Sequence, residues 1–369
     1  MSERAGWGGS SAPGGVPEEA LRGDAASSPP GSAPASAGRG AGTTDPFPPT
    51  HAVFHDPALY AQEAVRVFSG WRFLCCADQV PRSGVWGRRN TPGGEVRFAQ
   101  EGGRLRALQE GAPRPVAWLG RLAFVHAGEE APERSLEDAL GEALPLARSL
   151  GAAVAECLLE VRMSLGANWK LVVSGAIEDY HLPVVHAATV NPYRLEPARP
   201  VLFAGGHSVY TAPARVGRLL RALHGALAGE PSEERFTNLL LYPNLLLIRL
   251  WGLVHVTVFE PRGPARTLRR TRIYAPSLPG ARRPLQRALG AFLRLGILRA
   301  AHEDRRAVEE AHAGTLAARE ALRGPAHAEE ARVEHFLAET AARVRCAQSS
   351  AAPPPRGRAG RGGCPRAAE

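Results

Sequence analysis

Two strand-like runs, residues 254–260 and 269–274, flank the segment Pro261-Arg262-Gly263-Pro264. A proline-glycine turn between such runs closes an antiparallel hairpin. Another apolar run precedes it at 239–250 and a strand-like segment lies at 158–163. Helical patterns start near Asn168 and at Pro284, where Leu285, Leu289, Phe292 and Leu293 share one face and the proline sits in a tolerant first turn. An antiparallel sheet combined with separate helices predicts an α+β protein.

The foldable part of the chain is bounded on both sides. Residues 1–48 are rich in Gly, Ser, Ala and Pro, and residues 347–369 carry Pro353, Pro354, Pro355 and scattered arginines. Neither segment holds enough branched apolar surface to offset the entropy of ordering, so both are expected to be disordered tails, the second one basic. Residues 49–134 contain a helical stretch at 57–68 and short strand patterns at 96–99, 105–108 and 122–126, punctuated by glycine pairs. They predict a small β region, and residues 135–346 the larger α+β domain.

Several function classes are disfavoured. No run of about 18 uncharged apolar residues occurs, and the first 30 residues lack a secretory apolar core, which points to a cytoplasmic protein. The five cysteines, Cys75, Cys76, Cys157, Cys346 and Cys364, are too few and irregular for a disulfide framework. A net charge of +9 comes from dispersed arginines, with Lys170 the sole lysine, and no basic stripe with interleaved aromatics suggests nucleic acid. Neither a phosphate-binding glycine loop nor a Gly-x-Ser-x-Gly nucleophile motif occurs.

The segment Glu178-Asp179-Tyr180-His181-Leu182-Pro183-Val184-Val185-His186 carries the most chemistry. Two histidines five apart diverge by about 140° on a regular helix. Pro183, between them, removes a backbone donor and is expected to bend the chain so that both rings converge. Neutral imidazoles suit iron, zinc or copper, and a carboxylate would complete a facial site with open positions. A surface histidine and a core histidine remain the plain alternative.

With Asn168-Trp169-Lys170 ahead of it, this segment resembles the iron-binding signature of Rieske-type ring-hydroxylating oxygenase α subunits. Leu241-Tyr242-Pro243-Asn244-Leu245, Glu260-Pro261-Arg262-Gly263-Pro264 through Thr267, Glu303-Asp304 and Val333-Glu334-His335-Phe336 resemble later motifs of that family in matching order. The resemblance implies a helix-grip catalytic domain, an antiparallel sheet wrapped on a long helix. It implies mononuclear Fe(II) on His181, His186 and Asp304, with Glu303 an alternative carboxylate. Glu178 matches the acid that bridges in the family to the cluster of a neighbouring subunit, and is the expected catalytic residue. Tyr180, Ser174 and His302 are candidates for contact behind the ligands, Ser174 standing where the family usually has an asparagine near iron.

A Rieske centre needs Cys-x-His and Cys-x-x-His. Neither occurs, and 103–108 runs on to Gln109-Glu110-Gly111 and then to 120–125, as though both cluster loops had been deleted. No [2Fe-2S] cluster is therefore expected in this chain. The resemblance then implies hydroxylation of an organic substrate, aromatic compounds among the candidates, with dioxygen, by mono- or dioxygenation. Electrons would come from a cluster-bearing subunit or a reductase in a homo- or hetero-oligomer, a trimer by resemblance. The other reading is an inactive ligand-binding or scaffold subunit of an oxygenase complex.

Overall fold

Asp56 accepts hydrogen bonds from the amides of Ala58 and Leu59, and Pro57 occupies the first turn that follows, so a helix starts here with its free donors capped. This computed structural model describes residues 51–128, 132–190, 195–196, 198–228, 234–278, 280, 282–318 and 328–349. The tail expected at 1–48 lies outside the described residues, as does the chain beyond 349.

After a 3₁₀ turn at His51–Phe54, the elements in order are α1 (Pro57–Arg66), β1 (Trp71–Cys76), β2 (Gly87–Thr91), β3 (Gly94–Glu101), β4 (Arg104–Gln109), β5 (Ala112–Arg114), β6 (Val116–Leu119) and β7 (Leu122–His126). Next come α2 (Leu136–Leu140), α3 (Leu144–Ala152), β8 (Glu156–Leu165), α4 (Trp169–Ile177), α5 (Leu182–Val185), β9 (Val201–Leu202), β10 (Ser208–Pro213) and α6 (Arg218–Ala228). The chain continues through β11 (Arg235–Leu241), β12 (Leu245–Leu250), β13 (Leu253–Gly263), β14 (Arg266–Ala275), α7 (Arg282–Ala317) and α8 (Ala331–Ser349). The last helix thus reaches into the segment expected to be a tail.

Three antiparallel sheets form, ordered β1-β7-β6, β2-β3-β4-β5 and β8-β14-β13-β12-β11-β10-β9. In the smaller sheets, Gln109 pairs with Ala112 and Leu119 with Leu122. The connections Glu110-Gly111 and Gly120-Arg121 are therefore two-residue turns at the two places where cluster loops would have to leave. A Cβ on Gly120 would come within 2.5 Å of the Gly151 and Ala152 backbone, so this turn is pressed against α3 and needs glycine. Cys75 and Cys76 are buried in β1, and burial pushes both thiols up to about 12.

The long sheet separates two apolar layers. On one side, Phe73, Leu119, Leu122 and Phe124 of the small sheets meet Leu140 and Leu150 of α2 and α3 and Leu239, Leu247, Val254, Val256 and Tyr274 of the long sheet. On the other, Val53, Leu59 and Phe68 join Trp169, Val173, Ile177, Phe259 and Phe336. Residues 51–68, expected with the N-terminal β region, therefore pack on the helical side.

Two expected elements differ in detail. The run 239–250 is two strands, β11 and β12, because the Tyr242-Pro243-Asn244 segment turns between them. Here Asn244 Nδ2 donates to the Phe259 carbonyl at 2.8 Å and the Tyr242 hydroxyl pairs with Thr340 at 3.1 Å. The hairpin is present, but β13 extends through Gly263 with an irregular register at Pro261 to Gly263, so the reversal falls at Pro264 and Ala265. Among the described residues no helix is long and apolar enough to cross a membrane.

Candidate metal centre

Helix α4 is fixed at its start by Asn168. Its Oδ1 accepts from the Lys170 amide at 3.0 Å, and its Nδ2 donates to the Pro264 carbonyl at 2.7 Å, while Thr267 donates to the Ala167 carbonyl at 2.8 Å. The Asn-Trp-Lys and Pro-x-Gly-Pro motifs thus touch, and the helix is tied to the β13–β14 reversal. Trp169 packs edge-on against Phe68 and Phe336, and its Nε1 donates to Glu63 Oε2 at 2.9 Å. Lys170 Nζ lies 2.6 Å from Glu63 Oε1 in the same fully buried pocket. At the other end, Arg332 of α8 donates to the Ile177 carbonyl at 2.9 Å and to the Asn238 carbonyl at 3.0 Å, which sets where the chain leaves α4.

From there Glu178 is extended and α5 forms one short turn. Pro183 does not bend a helix that carries both histidines, as expected from the sequence. It lies in the first turn of α5, where no donor is lost, with His181 as the N-cap and His186 as the C-cap. The rings converge because they flank one turn, and their centroids are 5.2 Å apart.

Asp304 arrives from α7. Its Oδ1 lies 2.6 Å from His186 Nε2 and 4.0 Å from His181 Nε2. One ligand atom from each of the three residues lies within 4.8 Å of the other two. With metal–ligand bonds of about 2.1 Å, adjacent ligand atoms sit about 3 Å apart, so one cation would reach all three after the wider pairs close and the His186–Asp304 pair opens slightly. Glu303, the neighbouring candidate, instead approaches the far side of the same ring, its Oε2 2.9 Å from His186 Nδ1. Thr189 also donates to this oxygen, at 2.7 Å. His181 has a matching support: Glu178 Oε1 is 2.6 Å from His181 Nδ1, and Glu178 Oε2 accepts from the His181 amide at 3.1 Å. Each imidazole therefore has a carboxylate oxygen beside Nδ1, while His186 Nε2 faces Asp304; a carboxylate at Nδ1 is the arrangement that fixes the tautomer of a metal-binding histidine.

The electrostatics follow from these contacts. Burial disfavours a charged His186, but hydrogen bonds to Asp304 and Glu303 and their charges outweigh it, so its pKa is raised above the usual 6.5. Burial alone would raise the Asp304 pKa, yet the Arg269 guanidinium, 2.6 Å from Oδ2, and His186 drive it down to about 2. Asp179 is pushed up to about 6 by burial, against the attraction of Arg332.

Two residues expected behind the ligands are elsewhere. The Tyr180 hydroxyl donates to Glu330 at 3.1 Å rather than to either histidine, since the side chain points out toward the chain ahead of α8. His302 is exposed in a surface groove with Arg305, Arg306, Glu309 and Glu310, because one residue along α7 rotates a side chain by about 100° away from Glu303. Ser174 is buried in the cavity wall, its hydroxyl without a partner among the described residues. Arg269, absent from the expected set, is at the heart of the site.

A cavity of about 900 Å³ opens beside these groups, between the inner sheet face and helices α4, α6 and α7. Leu246, Ile248, Phe259 and Val308 give it an apolar wall, while Glu178, His181, His186 and Asp304 gather in one region. An enclosed apolar cavity with few convergent polar groups is the usual form of a small-molecule site.

Comparison with known proteins gives a consistent picture. Residues 153–345 match the family described as ring hydroxylating alpha subunit (catalytic domain). Among solved structures, the chain is similar to a quaternary ammonium Rieske monooxygenase, CntA, in complex with L-carnitine, with TM-score 0.62 and 13% identity over 80% of this chain and 95% of that one. It is also similar to naphthalene 1,2-dioxygenase from Rhodococcus sp. bound to indole, with TM-score 0.59 and 17% identity over 80% of this chain and 93% of that one. At such identities the likeness is one of fold. A comparison with curated proteins finds no match.

Proposed function

The chain belongs to the ring-hydroxylating α-subunit family through residues 153–345, and on that premise we propose that it is a mononuclear non-haem iron oxygenase that hydroxylates an organic substrate with dioxygen. The observation that carries this reading is the convergence of His181, His186 and Asp304 with a carboxylate behind each imidazole. Two imidazoles and one carboxylate leave positions open on a ferrous ion, whose contribution is one-electron and dioxygen chemistry.

The chain's own residues prepare that site. Glu178 and Glu303 stand beside the two Nδ1 atoms, which would leave each Nε2 to serve as the ligand atom if a cation were held by His181, His186 and Asp304. Asp304 offers Oδ1 while Arg269 engages Oδ2. The apolar walls offer a hydrocarbon body a surface to pack against beside the site.

Electrons have to come from outside the described part of the chain, where two-residue turns stand in place of cluster loops. Our reading assigns them to a cluster-bearing subunit or reductase, entering near Glu178 within a mixed oligomer. Anaerobic loading with Fe(II), followed by oxygen uptake with and without such a partner, tests it. One iron per chain and partner-dependent uptake are expected. A well-folded chain that takes up no iron would leave a ligand-binding or scaffold subunit as the reading.

A further inference from the structure

The inner face of the long sheet carries a row of polar side chains that the metal centre does not use. Along a strand, alternate residues share a face, so Arg269 and Thr271 of β14 lie beside Thr257 and His255 of β13, with Thr271 directly opposite Thr257. All four line the cavity. Arg269 Nε approaches Thr271 Oγ1 at 3.4 Å, and Thr271 Oγ1 is 3.0 Å from Thr257 Oγ1, forming one continuous chain from Asp304 into the cavity.

Their hydrogen bonds do not balance. Arg269 uses Nη1 on Asp304 and Nε on Thr271, which leaves Nη2 without a partner among the described residues. The two threonines share one hydrogen bond, and Thr271 accepts from arginine, so one hydroxyl proton has no acceptor whichever threonine donates. Both threonines are more than nine-tenths buried, where an unused donor is costly. Among the described residues, the His255 ring makes no hydrogen bond to another side chain. Burial holds it down to about 4, so at neutral pH it is uncharged and offers one further N–H. Among the described residues, Arg269 Nη2, one threonine hydroxyl proton and the His255 N–H each lack an acceptor, and the first belongs to a cation.

We propose that this row is the anchor for a substrate carboxylate, and that the cavity takes an apolar monocarboxylic acid held by Arg269, Thr257 and Thr271. Arg269 Nη2 can donate a charge-assisted hydrogen bond to one carboxylate oxygen while the spare threonine hydroxyl serves the other, and the surrounding leucine, isoleucine and phenylalanine walls suit a hydrocarbon body. A dianion such as a phosphate monoester is disfavoured, since Asp304 and Glu178 line the same cavity. That the bound acid is a substrate rests on the oxygenase reading, whereas the recognition itself does not.

The test uses the full chain and two matched probes, 4-phenylbutyrate and its neutral amide, titrated by calorimetry into metal-free protein and into protein loaded with Zn(II). The acid is expected to bind at least about tenfold more tightly than the amide in both forms, as a charge-assisted hydrogen-bonded pair provides. Arg269→Gln should abolish this preference, Arg269→Lys should keep part of it, and Thr271→Val, which leaves Asp304 and its partner intact, should reduce it severalfold. Equal binding of acid and amide by the unaltered chain overturns the proposal. So does a preference that survives in both Arg269→Gln and Thr271→Val, including one seen only with Zn(II), which would put the carboxylate on the ion. If Arg269→Gln does not fold, Thr271→Val alone decides. Acid preference in a chain that takes up no metal would leave this inference standing and remove the oxygenase reading.

Discussion

His186 Nε2 lies 2.6 Å from Asp304 Oδ1, although 118 positions separate the two residues. The same carboxyl group meets Arg269 through its other oxygen, so it is held on both sides before any cation arrives. A ligand held this way loses little freedom on binding, which favours affinity.

Replacing His186 with Ala or Asp304 with Asn removes a donor from this set. Iron per chain after anaerobic loading is expected to fall from near one to near zero, a loss of affinity of at least about 100-fold, larger than that caused by disturbing a supporting group. Elemental analysis after dialysis checks it. Retained iron in both variants would place the metal elsewhere.

Glu303→Gln should weaken metal binding by about 10–100-fold without abolishing it, because Glu303 orients His186 through Nδ1 instead of serving as a ligand. A competitive titration with a fluorescent chelator reads the change. If Glu303→Gln proved as damaging as Asp304→Asn, the roles of the two neighbours would be exchanged.

Metal uptake is expected to weaken as pH falls, since His186 must lose a proton that Asp304 and Glu303 help it keep. For the chelator-treated protein the sign is opposite on the alkaline side. The raised His186 pKa contributes stability fully present below about pH 6.5 and lost as pH rises through its higher folded value. The Asp304 pKa, lowered to about 2, contributes stability present above 3.8 and lost as pH falls toward 2. Melting temperatures across pH with and without Zn(II) should therefore separate as pH increases, and parallel curves would contradict the assignment.

Lys170→Met should destabilise the fold by about 3–5 kcal/mol, because it strands the Glu63 carboxylate in a buried pocket. Burial already pushes Glu63 up and Lys170 down, each opposed by the partner's charge. The pair Lys170→Met with Glu63→Gln should recover much of that loss in urea denaturation. Additive losses would mean that the two groups do not act together.

How much of this was readable in the chain depends on local context. The hairpin around Pro261 and the helix starting after Asn168 carry their own turn and cap chemistry, so sequence located both within a few residues. The division of 239–250 was masked by the leucines on either side, Leu240, Leu241, Leu245 and Leu246, all buried, although Pro243-Asn244 is a turn signal in its own right. Only the family resemblance favours Asp304 over its neighbour Glu303, with Glu303 kept as the alternative, because the helix phase decides which acid reaches Nε2. Arg269 was missed for a related reason: arginines at 269, 270 and 272 occupy both faces of β14, and alternation alone does not say which face lines a cavity. Thr271, two residues on, was the available clue.

Glu303 and Asp304 meet opposite edges of one imidazole only because α7 presents them at fixed angles. A single-residue insertion or deletion between Pro284 and Glu303 would swing both by about 100°. The length of that segment is thus fixed as firmly as its packing: exposed positions could change, but one residue more or fewer would dismantle the centre.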